Sequence, residues 1–122
     1  YISRGERLGE RGGFPYFRVR RFTEKPDGET ARRFLEEGTY AWNSGMFVWR
    51  ASRILEEMNG LMPDLHETLH RLQAALTGGD YDEVLANLWP KVEKETIDYG
   101  VMERAERVAV IPVEMGWSDV GS

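Results

Sequence analysis

Two sets of polar residues in this 122-residue chain have the types and spacing for chemistry. The first is His66-Glu67-x-x-His70, in LHETLHRL. On a helix that spacing puts two imidazoles on one face with a carboxylate beside them, the layout of a zinc peptidase. A catalytic zinc also needs a third protein ligand, and with no cysteine and no third histidine only Glu93 or Glu95 is left to supply it. Alternatively, the two histidines border a buried stripe of Leu65, Leu69, Leu72 and Leu76 and are simply solvated. The second set is scattered. Asp119 lies in a Gly-bracketed loop after a strand-like run, where open α/β sheets gather ligands, and an aspartate there suits Mg²⁺, a hard cation taking oxygen donors. Otherwise it caps a turn. Glu24 can accept two sugar hydroxyls and Lys25 can place a point charge on a phosphate; the competing reading is a surface ion pair worth little. Asn43 offers donors and an acceptor for vicinal hydroxyls, and Gly45 allows close approach to the backbone. Trp42 and Trp49 either wall such a pocket or pack a core, the latter the expectation for Trp49.

Position must come from the elements between these residues. Arg4 to Pro15, rich in glycine and charge, reads as a loop or hairpin tip. Tyr16 to Pro26 alternates Phe17, Val19 and Phe22 with arginines and slips at Arg20 and Arg21, which predicts a half-buried strand with a bulge. Asp27 is the predicted N-cap of a helix that stops at Gly38. A turn at Asn43-Ser44-Gly45 is predicted to lead into a buried strand, Met46 to Trp49. Helices follow in ASRILEEMNG, in PDLHETLHRLQAAL with Pro63 at its start, in YDEVLANLW, and in TIDYGVMERA with Thr96 or Asp98 near its N-terminus. Val108 to Val113 reads as the last strand. This order of strand, helix, strand, several helices and strand is an α/β pattern. YIS at one end and DVGS at the other read as a strand and a turn in progress, as in a piece cut from a larger protein.

The bulk properties set limits. Hydrophobic content of 41% and charged content of 30% are those of a soluble globular protein. No apolar run approaches the roughly 18 residues of a membrane span, and nothing resembles a signal peptide. The absence of cysteine excludes disulfides, thiolate zinc sites and cysteine nucleophiles and is compatible with a cytoplasmic location. The net charge of −5 argues against a nucleic-acid binder, although residues 1–25 are basic, with seven Arg and Lys against three Glu, enough for a small anionic ligand.

Four segments carry a resemblance. FTEKPD, YAWNSGMFVWRA, TIDYGVMERA and GWSDVGS occur in the order and rough spacing of the mannose-1-phosphate guanylyltransferases, the sugar-1-phosphate nucleotidyltransferases that make GDP-mannose. The similarity runs over essentially the whole chain. It implies a partial Rossmann-like (GT-A-like) nucleotidyltransferase domain: a mixed sheet with helices packed on it. Residues 1–122 would form its sugar-phosphate-binding second half, cut at both ends. It implies transfer of a nucleotidyl group from GTP to mannose 1-phosphate with Mg²⁺ as cofactor. Asp119 matches a metal-binding aspartate. Glu24 and Lys25 match residues lining the sugar-phosphate site, and Asn43, Ser44 and Gly45 match the mannose-contacting turn. Asp98 and Tyr99 match a motif near the active site. RGERLGERGG has glycines but lacks the preceding strand and following helix of a phosphate-cradling loop, so the nucleotide-binding element and the choice of base would lie elsewhere. A non-catalytic sugar-phosphate-binding module is the alternative, the zinc peptidase a remote one. An unpaired sheet edge would favour a homo-oligomer.

Overall fold

The computed structural model describes residues 1–118 and 120, the side chain of Leu35 aside. The chain forms two compact units, residues 1–48 with 105–122 and residues 49–104.

The first unit is built on a hairpin. Strand β1 (Ile2–Arg11) pairs antiparallel with β2 (Phe14–Phe22). The loop or hairpin tip predicted for Arg4 to Pro15 is a hairpin tip at Gly12 and Gly13, and the rest of the segment is strand. Both have positive φ, 59° and 84°, as a two-residue type I′ hairpin turn demands, and a Gly-Gly pair supplies this without strain. The strand was hidden because its residues are mostly Arg, Glu and Gly. Pairing with the more apolar β2, rather than intrinsic propensity, holds it extended. The bulge expected near Arg20 is present: Ser3 faces Arg21 and Arg4 faces Val19, leaving Arg20 as the extra residue.

Helix α1 (Gly28–Glu37) follows β2, and Asp27 caps it, its Oδ1 accepting the Thr30 backbone N–H at 2.8 Å. Beyond its other end Arg4 holds the exit, its guanidinium donating to the carbonyl oxygens of Gly38 (2.8 Å) and Thr39 (3.3 Å), the two residues that follow the helix. Strand β3 (Tyr40–Ala41) then pairs antiparallel with the start of β1, and β4 (Ala109–Val110) pairs antiparallel with β2, giving the order β3-β1-β2-β4. The core of this unit is aromatic. Phe34 is 2% exposed and stacks on Tyr40 with ring centroids 3.8 Å apart, Tyr1 lies against both Phe34 and Trp42, and the buried Phe22 meets Phe47.

Two strand predictions fail in part. Met46 to Trp49 is not a strand: Met46, Val48 and Trp49 are exposed, and among the described residues no strand lies outside β3 to pair with this segment. An apolar, β-branched run becomes a strand only where a partner supplies ladder hydrogen bonds. For the same reason Val108 to Val113 is a strand only at Ala109–Val110, where β2 offers an edge.

The second unit is helical: α2 (Ala51–Leu61), α3 (Pro63–Gly78), α4 (Tyr81–Leu88), a short 3₁₀ turn at Trp89–Lys91 and a π-helical turn at Asp98–Met102. Pro63 starts α3 as predicted. Its core consists of Leu72, Ala75, Gly100, Val101 and Met102. The predicted leucine stripe is corrected at its end, where Ala75 is buried and Leu76 is 65% exposed. The smaller side chain suits the close passage of a neighbouring helix.

Candidate functional site

The topology brings two of the sequence-predicted groups together. β2 and β3 lie on either side of β1 and are both antiparallel to it, so they run in the same direction. Ala41, Ile2 and Phe22 stand side by side across the three strands. The chain therefore leaves β2 toward Glu24 and Lys25, and β3 toward Asn43, Ser44 and Gly45, at one end of the sheet. Two strand spacings separate the exits, about 10 Å, the scale of a phosphorylated hexose. This is the carboxyl-end position at which open sheets hold ligands.

Each exit is shaped locally. Tyr1 and Thr23 close the β2 end with a reciprocal pair of bonds: the Thr23 N–H donates to the Tyr1 carbonyl (2.9 Å) and the Tyr1 backbone nitrogen donates to the Thr23 carbonyl (2.8 Å). Beyond this pair Lys25 has φ +45°, the only non-glycine residue with positive φ among those described. Such a backbone costs an ordinary L-residue roughly 1–2 kcal/mol, and strain of this kind clusters at functional sites. The Lys25 side chain is exposed and makes no ion pair among the described residues. Glu24 is half-buried. At the β3 exit the Asn43 Oδ1 accepts the Gly45 backbone N–H at 3.0 Å, an Asx turn that fixes the asparagine side chain, and Gly45 has the positive φ of 70° that completes the turn. Asn43 and Ser44 are half-buried. Trp42, packed on Tyr1 at 5.3 Å between centroids, is still 58% exposed.

Thr23 is a feature that pattern reading missed: its hydroxyl oxygen is buried with no hydrogen-bond partner among the described residues. Nothing in the residue type signals this, because it follows from where the Tyr1–Thr23 pair fixes the backbone.

Asp98 belongs to the second unit, in the π-helical turn, where it is half-buried. The turn starts at Asp98, and the Tyr99 N–H donates to the Thr96 Oγ1 at 3.4 Å, so both residues the sequence offered stand near its N-terminus. Gly100 sits tightly there: a Cβ would stand 2.6 Å from the Met62 Sδ and 3.2 Å from the Glu95 Cγ, so those side chains would have to move. The Arg104 guanidinium closes the turn on the Gly100 carbonyl oxygen. Single-turn π segments of this kind are frequent at functional sites.

Asp119 lies outside the described residues. The strand leading toward it runs antiparallel to β2, with Ala109 opposite Arg18 and Val110 opposite Phe17, so β4 points toward the hairpin turn and away from the Lys25 end. The carboxyl end of this strand is thus not the sheet end that holds the other groups. Among the described residues no three His, Asp or Glu side chains gather to hold a metal ion. Mg²⁺ needs only one or two carboxylates beside phosphate oxygens, so a single aspartate fits by donor type. His66 and His70 stand edge to face on α3, 4.6 Å between centroids, without a third ligand among the described residues.

No helix among the described residues is long and apolar enough to cross a membrane. The fold is mixed α/β with polar loops at the carboxyl ends of two like-directed strands, and the sequence model of the family described as nucleotidyl transferase matches residues 6–122. The chain belongs to that family. Its relatives include the mannose-1-phosphate guanylyltransferases of Salmonella muenchen, 40% identical over all of this chain and 25% of the relative, and of Escherichia coli K12, 39% identical over all of this chain and 26% of the relative. The alginate biosynthesis protein AlgA of Pseudomonas syringae pv. tomato is 47% identical over 85% of this chain and 22% of the relative. The chain thus spans about a quarter of the length of the curated relatives it matches.

Proposed function

We propose that residues 1–122 form the sugar-phosphate-binding part of an enzyme that transfers a guanylyl group from GTP to mannose 1-phosphate, giving GDP-mannose and pyrophosphate. The observation that carries this reading is the shared exit of β2 and β3. It sets an exposed Lys25 with a left-handed backbone at the same sheet end as an Asx turn at Asn43, in a chain about 40% identical to mannose-1-phosphate guanylyltransferases. Lys25 holds the sugar phosphate as a point charge. Glu24 accepts hexose hydroxyls, and the Asn43-Ser44-Gly45 turn presents amide and backbone groups to the remaining ones. Asp98 is a substrate contact on the strength of the sequence resemblance.

The reaction places few demands on acid–base groups. One oxygen of the mannose 1-phosphate attacks the α-phosphorus of GTP in line, and the bond from that phosphorus to the departing pyrophosphate breaks. The attacking phosphate, with a second pKa of about 6, is already mostly a dianion near neutrality, so no general base is required and neither histidine need act. Catalysis then consists of positioning and charge neutralisation. Asp119 would hold Mg²⁺, which when bound supplies that neutralisation on the phosphates. The direction of β4 does not forbid this. The eight residues from Ile111 to Ser118 reach up to roughly 27 Å when extended, and the five residues from Phe17 to Phe22 span about 17 Å. A cytoplasmic location fits the phosphorylated substrates.

The test uses the natural protein that carries this chain, with GTP and mannose 1-phosphate, following pyrophosphate release and GDP-mannose formation. Asp119→Ala is expected to lower kcat by orders of magnitude with the fold retained by circular dichroism. Near-normal turnover in that variant removes Asp119 from the metal site. A parent protein that turns over other sugar phosphates but not mannose 1-phosphate refutes the substrate.

A further inference from the structure

The His66-Glu67-x-x-His70 motif has no part in the reaction above, yet its two rings are placed for a task of their own. Pro63 starts α3, so both histidines sit within its first eight residues, one turn apart. His66 is half-buried and His70 exposed. Their rings meet edge to face, with centroids 4.6 Å apart and planes at 80°.

That spacing matches chelation. A metal ligated at about 2.0–2.1 Å lies roughly 3.2 Å from the centre of each imidazole, so two imidazoles bound at right angles hold their centres about 4.5 Å apart. The ring centres already stand at that separation, and χ2, the torsion that turns a ring nitrogen toward a common point, is broad in histidine. Among the described residues no third His, Asp or Glu completes a cluster, so water fills the remaining positions and the hydrolytic zinc arrangement is not formed.

We propose that His66 and His70 form a bidentate site on α3 for a borderline divalent transition ion, of the class of Cu²⁺, Ni²⁺ and Zn²⁺. Imidazole nitrogens suit these ions and not Mg²⁺, which takes oxygen donors, so this site is chemically separate from any magnesium of the transfer reaction. Affinity follows the general order for nitrogen ligands, with Cu²⁺ tightest. Binding ties two successive turns of α3 together and raises the stability of the folded state by mass action.

The test is calorimetric titration of the natural protein that carries this chain, without a His-tag, with CuCl₂, NiCl₂, ZnCl₂ and MgCl₂. One transition ion that depends on the two imidazoles is expected, Cu²⁺ the tightest, and any heat from Mg²⁺ should be the same in the parent and in the histidine variants. His66→Ala and His70→Gln each leave one imidazole and should weaken binding at least tenfold. Adding Ala74→His to His66→Ala places a new imidazole one turn beyond His70, on an exposed position, and should restore the affinity. Absence of binding overturns the proposal, as does affinity unchanged in both single variants, which would place the ion elsewhere. A double variant with parental helix content that fails to recover affinity overturns the one-turn geometry. None of these outcomes bears on nucleotidyl transfer.

Discussion

Phe34 links helix α1 to the strand that enters the Asn43 turn, and its removal gives the most direct test of how the site is held. Its ring is 2% exposed, lies nearly parallel to Tyr40 (9° between planes, 3.8 Å between centroids) and touches Tyr1 at 5.8 Å. Truncating a buried phenylalanine to alanine costs about 3–5 kcal/mol, of which roughly 0.5–1.5 kcal/mol belongs to ring–ring contact. Phe34→Leu keeps most of the volume and loses mainly that contact, so its expected cost is about 1 kcal/mol. With a urea m-value of about 2 kcal/mol per molar, the unfolding midpoint should fall by ~2 M for Phe34→Ala and ~0.5 M for Phe34→Leu. A loss of about 4 kcal/mol is a large share of the 5–15 kcal/mol typical of a domain, so the alanine variant should be partly unfolded near 37 °C. Tyr40 begins β3, and the turn follows three residues later. In the natural protein, Phe34→Leu should therefore raise KM for mannose 1-phosphate more than it lowers kcat. Midpoints of both variants within 0.3 M of the parent would refute the reasoning, because the aromatic cluster would then not be the core that anchors the turn.

Two further outcomes follow from the same end of the sheet. Lys25→Gly relieves a left-handed backbone but adds unfolded-state entropy, so stability should stay level or rise by up to about 1 kcal/mol in urea unfolding while KM for mannose 1-phosphate rises; a loss of more than about 1 kcal/mol would show that φ +45° is not strained. The Asp27 carboxyl is held below its ordinary value of about 3.8, chiefly by accepting the Thr30 backbone N–H. Because the folded-state value is the lower one, the cap contributes fully above about pH 3.8 and its contribution fades as pH falls below that. The stability gap between parent and Asp27→Ala should thus be constant from pH 7 to about 4 and narrow toward pH 3, and a gap that stays constant down to pH 3 would contradict the capping role.

Legibility in the sequence followed how local each signal was. The Asp27 cap, the Gly38 stop, the Pro63 start, the bulge at Arg20 and the Asn43–Gly45 turn each depend on a few adjacent residues, and all were readable. Strand β1 was not, because Arg, Glu and Gly carry little strand preference and its conformation comes from β2 across the hairpin. Met46 to Trp49 erred in the opposite sense. Its residues prefer a strand, but preference without a partner edge leaves Val48 99% exposed. The chain's candidate chemistry was legible as residue types. The geometric fact that matters, that β2 and β3 run the same way and release Lys25 and Asn43 at one end, was not. It depends on β3 pairing with β1 rather than β2, a long-range choice.

That choice has an identifiable cause. Arg4 sits one residue after the β1–β3 pairing, and its backbone N–H donates to the Thr39 carbonyl at 3.0 Å while its guanidinium holds the Gly38 and Thr39 carbonyls. It also lies 5.6 Å from the centre of the Phe17 ring on β2. One side chain therefore ties the end of α1, the start of β3 and the middle of β2 to β1. The aromatic stack of Tyr1, Phe34 and Tyr40 closes the same junction from the helix side. With α1 capped by Asp27 at one end and its exit held by Arg4 at the other, the helix spans the distance from the β2 exit to the β3 entrance as a rigid strut. The separation of Lys25 from Asn43 is then set by helix length and strand spacing. A site for a rigid, phosphorylated sugar needs that kind of control, since binding energy is realised only if the charge on Lys25 and the polar turn meet the ligand together.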